Sequence, residues 1–225
     1  MTARQAALPL SLPARMGRED FVPSACNAAA LGLLAAELPG GRLVLHGPEG
    51  SGKTHLGHIW AVARGAAHLD GAALAGANLP GMVAQGAVWL DNAARVGGSA
   101  EAQTAFFHLL NLAQAQGVEV LMVARSPARD WGVSLPDLAS RLGACTHVAV
   151  AAPDDALLAA VLAKLFADRQ VAVSDRLIPY LLPRMERSLA GAQKLVARLD
   201  AEALARGKPI GRALAAEVMQ ASPEA

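Results

Sequence analysis

The sequence predicts an α/β domain with a parallel five-stranded sheet, followed by a small α-helical lid. Three observations predict it. Short apolar runs alternate with helical stretches from residue 21 to residue 152, which implies parallel βαβ units covered on both faces. A glycine-rich loop joins the first apolar run to a helix. Beyond Pro153 the strand-like runs cease and only amphipathic helical spacing remains.

The elements follow in order. Residues 1–20 mix prolines, arginines and scattered leucines without a helical period, and read as a flexible arm. A helix is expected from Pro23 to Leu38, with Ser24 as its cap and Ala30, Leu31, Leu34 and Leu38 on one face. Strands are expected at Leu43–His46, Ala67–Asp70, Val88–Asp91, Val118–Val123 and Thr146–Val150. Helices at Thr54–Arg64 and Ala100–Gln116 separate the first strand from the second and the third from the fourth. In the lid, one helix runs from Asp154-Asp155 to about Arg169 and a second starts at Ser174-Asp175. A third covers Ser188–Arg206 and ends at Gly207, and a fourth covers Gly211–Gln220. The expected domains are therefore 1–20, 21–152 and 153–225.

Composition narrows the function classes. The chain has 225 residues, 53% of them hydrophobic and only 4% aromatic, so aliphatic and alanine packing fills the core. Net charge is +1, with ten basic and ten acidic residues up to position 152 and ten against nine after it. That balance argues against non-specific nucleic-acid binding as the main task. Cys26 and Cys145 lack zinc-like or C-x-x-C spacing and read as small buried thiols in a reducing compartment. No signal peptide and no apolar run near the ~18 residues of a membrane helix is evident, so a soluble cytoplasmic protein with no membrane partner is expected.

The residues that carry chemistry begin with Gly47, Pro48, Glu49, Gly50, Ser51, Gly52, Lys53 and Thr54, which fit the phosphate-binding pattern G-x-x-x-x-G-K-[ST]. The glycines let backbone N–H groups wrap a phosphate, Lys53 reaches the β/γ-phosphates, Thr54 suits Mg²⁺, and the next helix adds its positive end. An apolar run before the loop and a helix after it supply the required context. Asp91 closes the run Ala87-Val88-Trp89-Leu90-Asp91, where a carboxylate can hold Mg²⁺ through water. Asn92 follows it; an amide cannot accept the proton of an attacking water. Arg141 has two readings on spacing alone: an arginine finger for a neighbour's γ-phosphate, or a helix arginine paired with Asp137 at i,i+4. Arg187 likewise reads as a nucleotide sensor or a surface arginine. His55 and His58 at i,i+3 lack the further ligands a metal needs and read as packing or surface residues.

Together these residues resemble the AAA+ ATPases, and more narrowly the family of the bacterial replication initiator DnaA, including its Hda-type members that act in regulatory inactivation of the initiator. The likeness spans essentially the whole chain: Phe21-Val22-Pro23 with Asn27, the phosphate loop, Asp91-Asn92, the segment Leu135–Leu142, and Arg187 in the sensor-2 place. The resemblance implies ADP or ATP with Mg²⁺, bound by residues 47–54, His55, Asp91 and Arg187, with Thr54 and Asp91 (through water) at the metal. It implies that Arg141 is an arginine finger acting in trans. Gln5-Ala6-Ala7-Leu8-Pro9-Leu10 resembles the Q-x-x-L-P-L peptide that docks on the sliding clamp of DNA polymerase III, through Gln5, Leu8, Pro9 and Leu10. Where family members end the fourth strand on a polar γ-phosphate sensor, this chain has Val123-Ala124-Arg125-Ser126, which with Asn92 predicts weak or no intrinsic ATPase. A helix-turn-helix domain after the lid and a long N-terminal domain, both carried by initiators, are not expected here. The function implied is negative regulation of replication initiation: the chain stimulates ATP hydrolysis by DnaA, reaches DNA only through the clamp, and can form a homodimer. The alternatives are a helicase-loading or transposition-accessory AAA+ ATPase and, less in keeping with a four-helix lid, a small-molecule P-loop kinase.

Overall fold

Apolar runs form strands here because both faces of the sheet are covered. The computed structural model describes residues 16–220, and these divide into two compact units, 16–152 and 153–220. The strands of the first unit are β1 (Arg42–His46), β2 (Ala67–Asp70), β3 (Ala87–Asp91), β4 (Glu119–Ala124) and β5 (Thr146–Ala149). They form one parallel sheet in the order β2-β3-β4-β1-β5. The helices of this unit are α1 (Ala28–Ala35), α2 (Lys53–Arg64), α3 (Leu79–Val83), α4 (Ala100–Gln116) and α5 (Pro136–Gly143).

Alternation along each strand feeds two cores. Val44, Val88, Leu90, Val120 and Met122 meet Phe106, Leu109, Leu110, Leu138 and Leu142 of α4 and α5 on one face. Leu43, Leu45, Trp89, Leu121 and Val123 meet Ala30 and Leu34 of α1 and Leu56 and Trp60 of α2 on the other. Central strands buried on both sides need no polar positions, hence their continuous apolar character.

Two expectations are corrected. The helix expected over Pro23–Leu38 is only Ala28–Ala35, and its N-cap residue is Asn27, not Ser24. Asn27 accepts from Ser24 N–H at 2.9 Å and donates to the Val22 carbonyl at 3.1 Å, so residues 23–27 are held as a turn. The Ser24 hydroxyl is buried and has no hydrogen-bond partner among the described residues. Leu38 lies beyond the helix yet is buried, its N–H bonded to the Glu119 carboxylate. The second lid helix begins at Leu177, not at Ser174, and covers Leu177–Leu181 before a 3-10 turn over Leu182–Arg184. Helix α3 was not expected, although Asn78 followed by Pro80 is a start signal: the Asn78 side-chain Oδ1 accepts from Gly81 N–H at 3.1 Å and Pro80 sits in the first turn.

The second unit holds α6 (Asp155–Asp168), α7 (Leu177–Leu181), α8 (Leu189–Arg206) and α9 (Arg212–Gln220) around a core of its own, with Leu158, Leu162, Phe166, Leu195, Leu199 and Leu214 among its members. Asp154 and Ser188 cap α6 and α8, accepting from Leu157 N–H at 2.7 Å and Gly191 N–H at 2.8 Å. Among the described residues no helix is long and apolar enough to cross a membrane.

Candidate nucleotide-phosphate site

The loop after β1 turns back on itself at the carboxyl end of the sheet, where ligands of open α/β sheets bind. Two glycines are required there. A Cβ on Gly47 would meet the Val150 carbonyl oxygen at 2.1 Å, and Gly52 caps α2 in the left-handed conformation at φ 91°. The twelve-residue α2 therefore starts at Lys53 with its first N–H groups aimed into the loop.

Lys53 is 7% exposed, and its Nζ donates to the Pro48 carbonyl at 2.5 Å and the Ser51 hydroxyl at 3.3 Å. Burial lowers its pKa, and Arg125 lowers it further, while Asp91 and Glu49 oppose the shift. Thr54 Oγ1 lies 3.4 Å from Asp91 Oδ2. A hydroxyl and a carboxylate facing one another beside the loop form an all-oxygen donor set that fits Mg²⁺ with retained waters. Glu49 pairs with Arg125, one residue past β4, at 3.0 Å. The His55 side chain turns away: Nε2 is 2.9 Å from the Gly17 carbonyl oxygen, and its ring packs edge-on to Phe21 at 5.3 Å. What His55 can offer a phosphate is its backbone N–H in the first turn of α2.

Asn92 takes a left-handed conformation (φ 50°) and donates its amide to Asp70 Oδ2 at 2.6 Å. Asp70 ends β2 in register with Asp91, and the Ala72 N–H and then Asn92 hold its carboxyl below the usual carboxylate range. Sequence reasoning missed Asp70; an Asp closing a strand adjacent to the Asp91 strand was the available signal. His46, the last residue of β1, lines a separate cavity of about 660 Å³ with His147, Arg129 and Leu142; burial and then His147 lower its pKa.

Arg141 lies elsewhere. In the last turn of α5 its guanidinium donates to Gln114 Oε1 at 2.9 Å and stands 5.1 Å from the Phe107 ring centroid, so the expected alternative partner, Asp137, is not the one it uses. Gln114 Oε1 also accepts from Arg42, the first residue of β1. In the helical unit Arg187 pairs with Asp155 at 2.7 Å, just before the α8 cap. Gln5, Leu8, Pro9 and Leu10 lie outside the described residues. Both cysteines are free, and burial pushes the Cys145 thiol pKa up. Among the described residues no group of three or more His, Cys, Asp or Glu side chains could hold a metal ion.

A parallel sheet of this order, a phosphate loop after β1, an acidic tip on β3 and a separate helical unit define the AAA+ form of the P-loop fold. Compared by sequence alone, the chain matches no family model and no curated protein. Compared by structure, it is similar to domain III of the Thermotoga maritima replication initiation protein DnaA, with TM-score 0.78 and 16% identity over 91% of this chain and 95% of that one. AMPPCP-bound DnaA from Aquifex aeolicus matches with TM-score 0.70 and 18% identity over 82% of this chain, which spans 64% of that protein. The Thermotoga maritima RuvB Holliday junction branch migration motor matches with TM-score 0.70 and 17% identity, over 91% of this chain and 71% of that one.

Proposed function

We propose that the chain binds ADP or ATP with Mg²⁺ in loop 47–54 and acts as a negative regulator of replication initiation. Held on the DNA-loaded sliding clamp by Gln5, Leu8, Pro9 and Leu10, it offers Arg141 to the ATP site of a DnaA partner and stimulates hydrolysis there. Arg187 reports the bound nucleotide to the helical unit.

One observation carries the reading. Arg141 is anchored with Gln114 and Arg42 at the amino end of β1, whereas the phosphate loop follows the carboxyl end of the same strand. A five-residue strand separates those ends by roughly 16 Å. A guanidinium so held is out of reach of its own chain's phosphates and free to serve another molecule's. The commitment of Asn92 to Asp70 agrees with slow hydrolysis in this chain's own site. An arginine supplied in trans is worth ~10³–10⁵ in rate, so weak turnover and strong regulation are compatible.

Titration with a fluorescent ADP or ATP analogue tests the site: Lys53→Ala should lose binding. Hydrolysis of DnaA-bound ATP, with clamp loaded on DNA, tests the finger. Arg141→Ala should bind nucleotide normally and lose the stimulation; stimulation equal to wild type removes the finger role. Gln5→Ala should lose the clamp in a pull-down.

A further inference from the structure

Tyr180 in the helical unit carries two guanidinium groups on one ring. Arg184 stands 4.2 Å and Arg212 4.9 Å from its centroid, and Arg184 Nη1 also donates to the Tyr180 carbonyl at 3.0 Å. The ring is half-buried against the core of the unit, so both arginines are held in place while remaining exposed. Among the described residues their charge is not offset by an ion pair. Lys164, Arg169, Arg187 and Arg206 each pair with a carboxylate, but among the described residues no carboxylate stands within ion-pair distance of Arg184 or Arg212. Two guanidinium groups held on one ring concentrate positive charge there, which a bound anion offsets.

We infer that the Arg184–Tyr180–Arg212 cluster is a binding site for the phosphodiester backbone of DNA. Guanidinium forks match phosphate oxygens in pairs, and arginines already ordered by the ring lose little side-chain freedom on binding. The ring's own surface is engaged by the arginines, so the site reads charge and not bases, and its binding is independent of sequence. Such a contact goes beyond the reading above, in which DNA is reached only through the clamp, and does not depend on it.

The test is fluorescence anisotropy of labelled duplex DNA and of its single strand, with the full chain, no clamp and varied salt. Arg184→Gln with Arg212→Gln should weaken binding several-fold at low salt and lower the slope of log K against log salt by about two, one per lost phosphate contact. Both arginines are exposed, so this variant keeps the fold. Tyr180→Phe, which retains the ring, should bind as wild type. Lys194→Gln, an exposed charge on α8, should change neither affinity nor slope. The inference fails if wild type binds neither DNA at low salt, if the double variant keeps the wild-type slope, or if Lys194→Gln weakens binding as much as Arg184→Gln alone. Loss of nucleotide binding in Lys53→Ala leaves these outcomes unchanged, which separates the two readings.

Discussion

The pair Asp70 and Asn92 illustrates how a single side chain is redirected by its neighbour. Asn92 follows Asp91 at the tip of β3, yet its amide is spent on Asp70, which also accepts from Ala72 N–H. The Asp70 carboxyl is therefore held below its ordinary value, with the backbone bond as the larger cause and the amide as the smaller. A depressed carboxyl contributes stability above the unfolded pKa, near 3.9, and that contribution is lost as pH falls through the folded value. Asn92→Gly removes the amide without opposing the left-handed backbone. It should raise the Asp70 pKa part of the way to the ordinary value, followed by carboxyl NMR titration; an unmoved Asp70 would show that Ala72 acts alone. The loop 47–54 was legible at this scale because its chemistry is local to eight consecutive residues. Asp70 was not, because its partner comes from the neighbouring strand.

At the scale of elements, α4 positions the segment that leads to Arg141. Gln103 is 3% exposed, and its Oε1 accepts from Ser134 N–H at 2.9 Å, the Ser134 hydroxyl at 3.1 Å and Leu135 N–H at 3.0 Å, while Nε2 donates to the Gly97 carbonyl at 3.3 Å. Leu135 immediately precedes α5. Gln103→Ala leaves buried backbone donors unsatisfied and should cost about 1–3 kcal/mol in chemical denaturation. It should also reduce the proposed stimulation of a partner's hydrolysis while nucleotide affinity stays unchanged; equal loss of both would mean that α4 supports the whole sheet and not α5 in particular. The limits of α4, Ala100–Gln116, are those expected, and Ser99 and Gly117 cap it. Those of α1 are not: its apolar spacing continues to Leu38, but Asn27 draws the preceding backbone into a turn and only eight residues remain helical.

The whole molecule consists of two units with separate cores, and its aromatic residues divide between them. Trp60, Trp89 and Trp131 all belong to Met16–Ala152, while the single tyrosine, Tyr180, belongs to the helical unit. Phe166→Ala empties a site that is 1% exposed in the helical core and should destabilise that unit by about 3–5 kcal/mol. Circular dichroism should then show part of the helical signal lost early, with the tryptophan fluorescence midpoint unmoved. Midpoints that shift together would mean that the units unfold as one block.

Periodicity alone determined the α/β class, the five strands and the four C-terminal helices, because burial on two sheet faces and on one helix face writes itself into residue spacing. Contiguity alone determined the glycine-rich loop 47–54 between β1 and α2. Tertiary structure decided the rest: that the His55 ring leaves the loop for Phe21, that Asn92 serves Asp70, that Arg141 is held by Gln114 at the far end of β1, and that Arg212 of α9 reaches the Tyr180 ring. Each of those contacts joins residues from different elements, and a side chain's partner across elements is set by how they pack, which no local pattern encodes.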